Sequence, residues 1–230
     1  MEPTILTISR AATLALCAAL YAAQGYAHGE HAKRDAPLGA QQEHARHRLP
    51  QTVGEAQRVS IRLENLQLLD QHNQAVRFAE QVVGDQLIAL SIFYSSCTTV
   101  CPVIAEIFAQ VQQRLGARLG EEVQLVFLSV DPTQDTPRRL AAHARKFDAG
   151  AGWTWLTGQK LAVDDVLNGL GLYTADYTEH PAAVLIGDGR SGQWSRFYGF
   201  PSATQIVAEL ERMALARQSS GDNDSHLAKE

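Results

Sequence analysis

Eight residues at positions 87–94, Leu-Ile-Ala-Leu-Ser-Ile-Phe-Tyr, form an apolar run that stops at Ser95-Ser96. A run this short and this apolar reads as a strand buried on both faces, which requires a sheet covered by helices above and below. The next segment supplies a cover. Over residues 101–119, Val103, Ile104, Ile107, Phe108, Val111 and Leu115 recur at three- and four-residue spacing and mark one face of a helix. Pro102 suits its first turn, where a missing N–H costs nothing. Residues 123–130 repeat the buried-strand pattern and end at Asp131-Pro132. Thr136 then reads as the N-cap, and Pro137 as the first residue, of a helix reaching Phe147.

The alternation continues. Residues 153–156 read as a short strand, 161–170 as a helix and 182–186 as a third core strand. A turn at Gly187-Asp188-Gly189 with Ser191-Gly192 leads into residues 193–198, read as an edge strand. Ser202 caps a last helix over 203–217, whose inner face is Ile206, Val207, Leu210, Met213 and Ala214. Upstream, residues 58–63 alternate polar and apolar like a half-buried strand. Residues 66–69 and 75–78 flank the polar stretch Asp70-Gln71-His72-Asn73-Gln74 as a hairpin. The order predicts an α/β fold: a thioredoxin-like three-layer sandwich with a mixed central sheet and an N-terminal β-hairpin, spanning 53–217. Residues 218–230 read as a polar tail.

The N-terminus sets the compartment. Residues 11–23 are uncharged and apolar, a run of 13, short of the roughly 20 needed to span a bilayer. Arg10 precedes them, and Gly25-Tyr26-Ala27 has the small-x-small pattern of a signal-peptidase site. Residues 1–27 therefore read as a signal peptide, with a retained membrane anchor as the alternative, and the protein as exported and periplasmic. Residues 28–52 read as a flexible lead-in holding four of the eight histidines: His28, His31, His44 and His47. A formal charge of -5 argues against a nucleic-acid partner.

Loss of the signal removes Cys17 and leaves two cysteines, Cys97 and Cys101, four residues apart at the entry to a helix. Backbone N–H groups and the helix dipole favour a thiolate at Cys101. Two such sulfurs can close a disulfide or hold one soft cation, copper(I) or zinc before any hard ion. His180 stands just before the strand at 182–186. In a thioredoxin-like sheet the loop entering that strand sits beside the cysteine loop, where an imidazole would complete a Cys2His copper site.

Four motifs in order resemble the Sco/SenC family of copper metallochaperones. They are Tyr94-Ser95-Ser96-Cys97-Thr98-Thr99-Val100-Cys101-Pro102, Ser129-Val130-Asp131-Pro132-Thr133-Gln134-Asp135-Thr136-Pro137, Trp155-Leu156-Thr157-Gly158 and Asp176-Tyr177-Thr178-Glu179-His180. The resemblance implies that Cys97, Cys101 and His180 bind copper, as Cu(I) or Cu(II), with Asp131 and Asp135 in a supporting role. It further implies a copper-accepting partner, the dinuclear site in subunit II of cytochrome c oxidase, served by copper delivery or by thiol reduction. Thr98 and Thr99 stand where many members carry proline and aspartate, and Pro181 where they carry Ser or Thr. Pro181 also falls where thioredoxins place a cis-proline. The alternative is an exported thiol-disulfide oxidoreductase or peroxidase using Cys97 and Cys101, since Thr98-Thr99-Val100-Cys101 also matches the Thr-x-x-Cys of peroxiredoxins.

Overall fold

The computed structural model describes residues 54–227, with side chains to Ser219. The expected signal peptide, the lead-in and its four histidines lie outside the described residues. Strands β1 (Gln57–Val59), β2 (Gln67–Asp70), β3 (Ala75–Arg77), β4 (Leu87–Phe93), β5 (Val123–Ser129), β6 (Trp153–Thr157), β7 (Ala183–Asp188) and β8 (Gln193–Tyr198) build one mixed sheet. Its order is β1-β8-β7-β4-β5-β6-β2-β3. The β4–β5 and β5–β6 pairs are parallel, while β7 runs antiparallel to β4. Helices α1 (Val100–Leu115), α2 (Pro137–Lys146), α3 (Lys160–Leu170) and α4 (Ala203–Leu227) complete the three layers.

The two faces follow from strand alternation. Leu87, Ala89 and Phe93 of β4 pack with α1, α2 and α4, while Ile88, Leu90 and Ile92 pack with α3. Every residue of β4 is buried, as its unbroken apolar run requires. Thr136 caps α2 by accepting the Arg139 N–H at 3.4 Å, and Pro137 opens the helix. Ser202 Oγ accepts the Gln205 N–H at 3.3 Å while Gln205 Oε1 accepts the Ser202 N–H at 3.0 Å, so α4 begins in a reciprocal cap.

Several boundaries differ from the sequence reading. The strand expected over 58–63 ends at Val59, because β1 and the hairpin β2–β3 lie at opposite edges of the sheet. Residues 60–66 must cross the α3 face to join them. The Arg62 N–H donates to Gly169 O at 2.8 Å on the way, and Ile61 and Leu63 pack into the core beneath α3. The crossing runs so close that a Cβ at Gly169 would lie 2.2 Å from Arg62 O. Residue 78, read as strand, instead opens a π-helical turn over Phe78–Val83 that buries Phe78, Val82 and Val83.

β8 is an interior strand, since β1 pairs along its outer side. Gly187 and Asp188 belong to β7, so the turn is confined to residues 189–192. Helix α1 stops at Leu115 and passes through a 3-10 turn at Gly116–Arg118. The expected tail is helical as far as Leu227. Adding turns to a formed helix avoids the cost of nucleation. Among the described residues no helix is long and apolar enough to cross a membrane.

Candidate metal centre

The carboxyl ends of β4 and β5 carry the site. Beyond Phe93 the chain turns, with the Cys97 N–H donating to Tyr94 O at 3.1 Å, and enters α1 at Val100. Thr99, the N-cap, offers no side-chain acceptor to the first turn. Cys97 takes that place, since its Sγ accepts the Cys101 N–H at 3.3 Å. Both cysteines are free thiols; Cys101 is buried and Cys97 half-buried.

This reverses the expected roles. Burial pushes the Cys97 thiol up, but the polar hydrogens around its sulfur, from the Cys101 side chain and amide, the Thr99 amide and the Tyr94 hydroxyl, favour the charged form. Together they bring Cys97 below the ordinary thiol value. Burial drives Cys101 well above that value, helped by its hydrogen bond to Cys97 and the nearby Asp135 carboxylate. The helix N-terminus therefore favours a thiolate at Cys97, where the reading from sequence put it at Cys101. An amide aimed away from its own side chain serves the residue one turn earlier.

Asp135 braces the loop from β5. It is fully buried and accepts the Ser95 N–H at 3.1 Å and the Ser129 hydroxyl at 2.7 Å. Asp131 lies beside it, its N–H donating to Ser129 Oγ and its carboxylate accepting the Thr133 hydroxyl at 2.6 Å. Asp135 thus fixes where the cysteine loop begins, across 40 residues of chain.

His180 follows a 3-10 turn at Tyr177–Glu179 that Asp176 caps, accepting the Thr178 N–H at 2.9 Å. Burial holds its pKa below the ordinary histidine value, against a hydrogen bond to Pro181 O that pulls the other way. Nδ1 lies 3.3 Å from that carbonyl, which can only accept, so Nδ1 carries the proton and Nε2 presents its lone pair. All peptide bonds among the described residues are trans, so Pro181 does not reproduce the thioredoxin cis-proline.

Tyr94 joins the two halves of the site. Its ring meets the His180 ring edge-on at 5.7 Å, and its hydroxyl is among the groups that lower the Cys97 thiol. The Tyr177 ring packs against the Tyr94 ring at 5.2 Å. Burial and the neighbouring thiols push the Tyr94 phenol up to about 12. The two sulfurs are brought together, and His180 is set against Tyr94. Among the described residues no three His, Cys, Asp or Glu side chains gather as a ready-made metal cluster. Tyr94 was not assigned a role from sequence, where it stood only at the end of the apolar run and at the head of the cysteine motif.

The donor set suits a soft ion, with one activated sulfur, a second one turn away and a neutral imidazole nearby. The SCO1/SenC family model matches residues 55–215, well over half of the chain. The chain belongs to the SCO1/SenC family. Its fold agrees with that of the SCO1/SenC family lipoprotein of Bacillus anthracis, with TM-score 0.59 and 22% identity over 70% of this chain and 99% of that one. ScoI of Bradyrhizobium japonicum, solved with copper bound, matches at TM-score 0.54 and 24% identity over 70% of this chain and 99% of its own. A protein of Stutzerimonas stutzeri named for copper binding is 27% identical over 117 residues, 51% of this chain. That match spans about half the length of the Stutzerimonas protein, 55%.

Proposed function

We propose that this SCO1/SenC protein is a copper metallochaperone that carries its ion on Cys97, Cys101 and His180. The observation that carries the reading is the sulfur pair at one end of the sheet, in which the Cys101 N–H donates to the Cys97 sulfur at 3.3 Å and the Cys97 thiol is lowered. Thiolates select Cu(I), and an added imidazole suits Cu(II). Copper is the cargo. It must leave as readily as it arrives, so a site with one half-exposed sulfur on a loop fits transfer better than a closed cage.

Within this reading the acceptor is another copper protein, with the dinuclear site of cytochrome c oxidase subunit II as the proposed destination. Family membership supports that choice, as does the copper bound by ScoI of Bradyrhizobium japonicum. An exported, periplasmic location fits the apolar N-terminal segment, whether removed as a signal or kept as an anchor.

A second reading has its own observation. The half-buried Cys97, its thiol lowered, beside the buried Cys101, its thiol raised, is the asymmetry of an attacking and a resolving cysteine, so thiol-disulfide exchange with the acceptor is chemically open to the same pair. His180 separates the two. Disulfide exchange needs no imidazole, whereas Cu(II) binding does. Anaerobic addition of Cu(II) to the reduced protein gives a sulfur-to-copper charge-transfer band, which His180→Ala abolishes or grossly shifts while Cu(I) binding partly survives. An unchanged band in that variant would move the function to thiol exchange.

A further inference from the structure

Helix α2 holds five basic residues, Arg138, Arg139, His143, Arg145 and Lys146, and no acidic one, while its buried residues are Leu140 and Ala144. Residues seven apart on a helix share a row, so Arg138 lines up with Arg145 and Arg139 with Lys146. All four are exposed. Among the described residues none of the four forms an ion pair, whereas Arg62, Arg77, Arg118, Lys160, Arg212 and Arg217 each hold a carboxylate.

Helix formation does not ask for this pattern. The first turn of a helix favours anions, yet Arg138 and Arg139 stand there. Arg139 is tied to Gln134, whose backbone and side-chain oxygens accept from it at 3.0 and 3.3 Å. Arg138 makes no side-chain bond among the described residues. The helix also flanks the sulfur pair. Asp135, which holds the Ser95 N–H at the start of the cysteine loop, stands just before the Thr136 cap. The His143 ring meets the ring of Phe93, the last residue of β4, edge-on at 5.1 Å.

We infer that the outer face of α2 is a docking surface for an acidic face on the protein that accepts copper. The inference rests on the reading of this chain as a copper donor. The whole chain has a formal charge of -5, so an acidic partner is repelled at long range from most of it. A row of unpaired cations beside the cysteines reverses the sign there and turns the partner toward the sulfurs as it approaches. An anionic membrane fits less well. Surface helices that bind bilayers insert apolar side chains, and between its charges the outer face of α2 offers only Ala141 and Ala142.

The test loads the reduced protein with Cu(I), mixes it without oxygen with the copper-free, reduced soluble domain of cytochrome c oxidase subunit II, and follows copper transfer at low and high salt. Copper stays Cu(I) throughout, so no oxidant or reductant is needed. Arg138→Glu with Arg145→Glu should slow transfer about tenfold at low salt and weaken its salt dependence. That variant should still bind one copper. Its urea midpoint should match the parent's, since glutamate suits the first turn and opposes the last. Arg114→Glu with Arg190→Glu makes the same change in net charge away from the cysteines, in the last turn of α1 and in the turn after β7, and should transfer like the parent. If reversal on α2 leaves the rate unchanged, or the control pair slows transfer as much, the docking surface is overturned and the donor reading stands. If the unmodified protein passes no copper to that domain, the acceptor reading fails and the docking surface falls with it. Vesicles of anionic phospholipid are tested alongside. Binding to them that the α2 reversal abolishes, with transfer unchanged, would make α2 a membrane contact instead.

Discussion

The Cys101 N–H donates to the Cys97 sulfur at 3.3 Å, so an amide in the first turn of α1 serves the cysteine outside the helix, while the cysteine inside it is buried. The Cys97 thiol is lowered and the Cys101 thiol raised, so the site is chemically lopsided before any metal arrives.

That asymmetry predicts the order of alkylation. Reduced, metal-free protein treated with iodoacetamide at pH 7 should be modified at Cys97, with Cys101 protected until the protein is unfolded. The pH midpoint at Cys97 should lie below that of a free thiol, since donors to its sulfur favour the charged form. Peptide mapping by mass spectrometry reads both results. Equal labelling of the two cysteines would refute the asymmetry.

Asp135 predicts a cost in stability coupled to a looser loop. Asp135→Ala leaves the Ser95 N–H and the buried Ser129 hydroxyl without their acceptor. The expected loss is about 3 kcal/mol in urea unfolding, the range for buried donors left unpaired. Asp135→Asn keeps one acceptor oxygen and should lose less. The Asp135→Ala protein should also label faster at Cys101, because the loop over it is no longer tethered. Wild-type stability in the alanine variant would show that the tether carries no load.

Acid sensitivity should trace in part to Asp188, at the end of β7. Burial pushes its carboxyl up, but hydrogen bonds from Arg217 and Ser191 outweigh this and hold it below the ordinary carboxylate value. A carboxyl depressed in the folded state contributes stability that is present above its unfolded pKa, near 4, and is lost as pH falls through the lower folded value. Arg217 of α4 donates to Asp188 and to Asp85 O, so Arg217→Ala leaves a buried charge unpaired. It should cost about 3 kcal/mol at pH 7 and flatten the acid limb of the stability profile between pH 5 and 3. Urea unfolding across that range is the measurement, and an unchanged limb would contradict it.

Local patterns made most of the fold legible. The continuous apolar stretches became β4, β5 and β7 because strands covered on both faces need apolar residues at every position. Thr136-Pro137 and Ser202 marked helix starts because caps are chemistry within a few residues. What could not be read depends on contacts between distant segments. Ile61 and Leu63 alternate like a strand, yet they pack beneath α3, because only the sheet order reveals that the chain must cross there. β8 looked like an edge because its outer partner, β1, is three residues long. The cysteines, His180 and the two aspartates were named from their motifs. Which sulfur is activated was hidden, because it turns on burial and on the direction of one amide. The tether from Asp135 to Ser95 was hidden too, as it spans 40 residues.

The central claim is that the sulfur pair carries copper, and an anaerobic Cu(I) titration of the reduced protein against a competing chelator tests it most directly. Because the histidines at 28, 31, 44 and 47 offer other donors, the titration is run both on the full chain and on a version beginning at Val53. The account predicts one tightly bound copper in both, abolished in each by Cys97→Ser with Cys101→Ser. Unchanged stoichiometry and affinity in the double serine variant would contradict it.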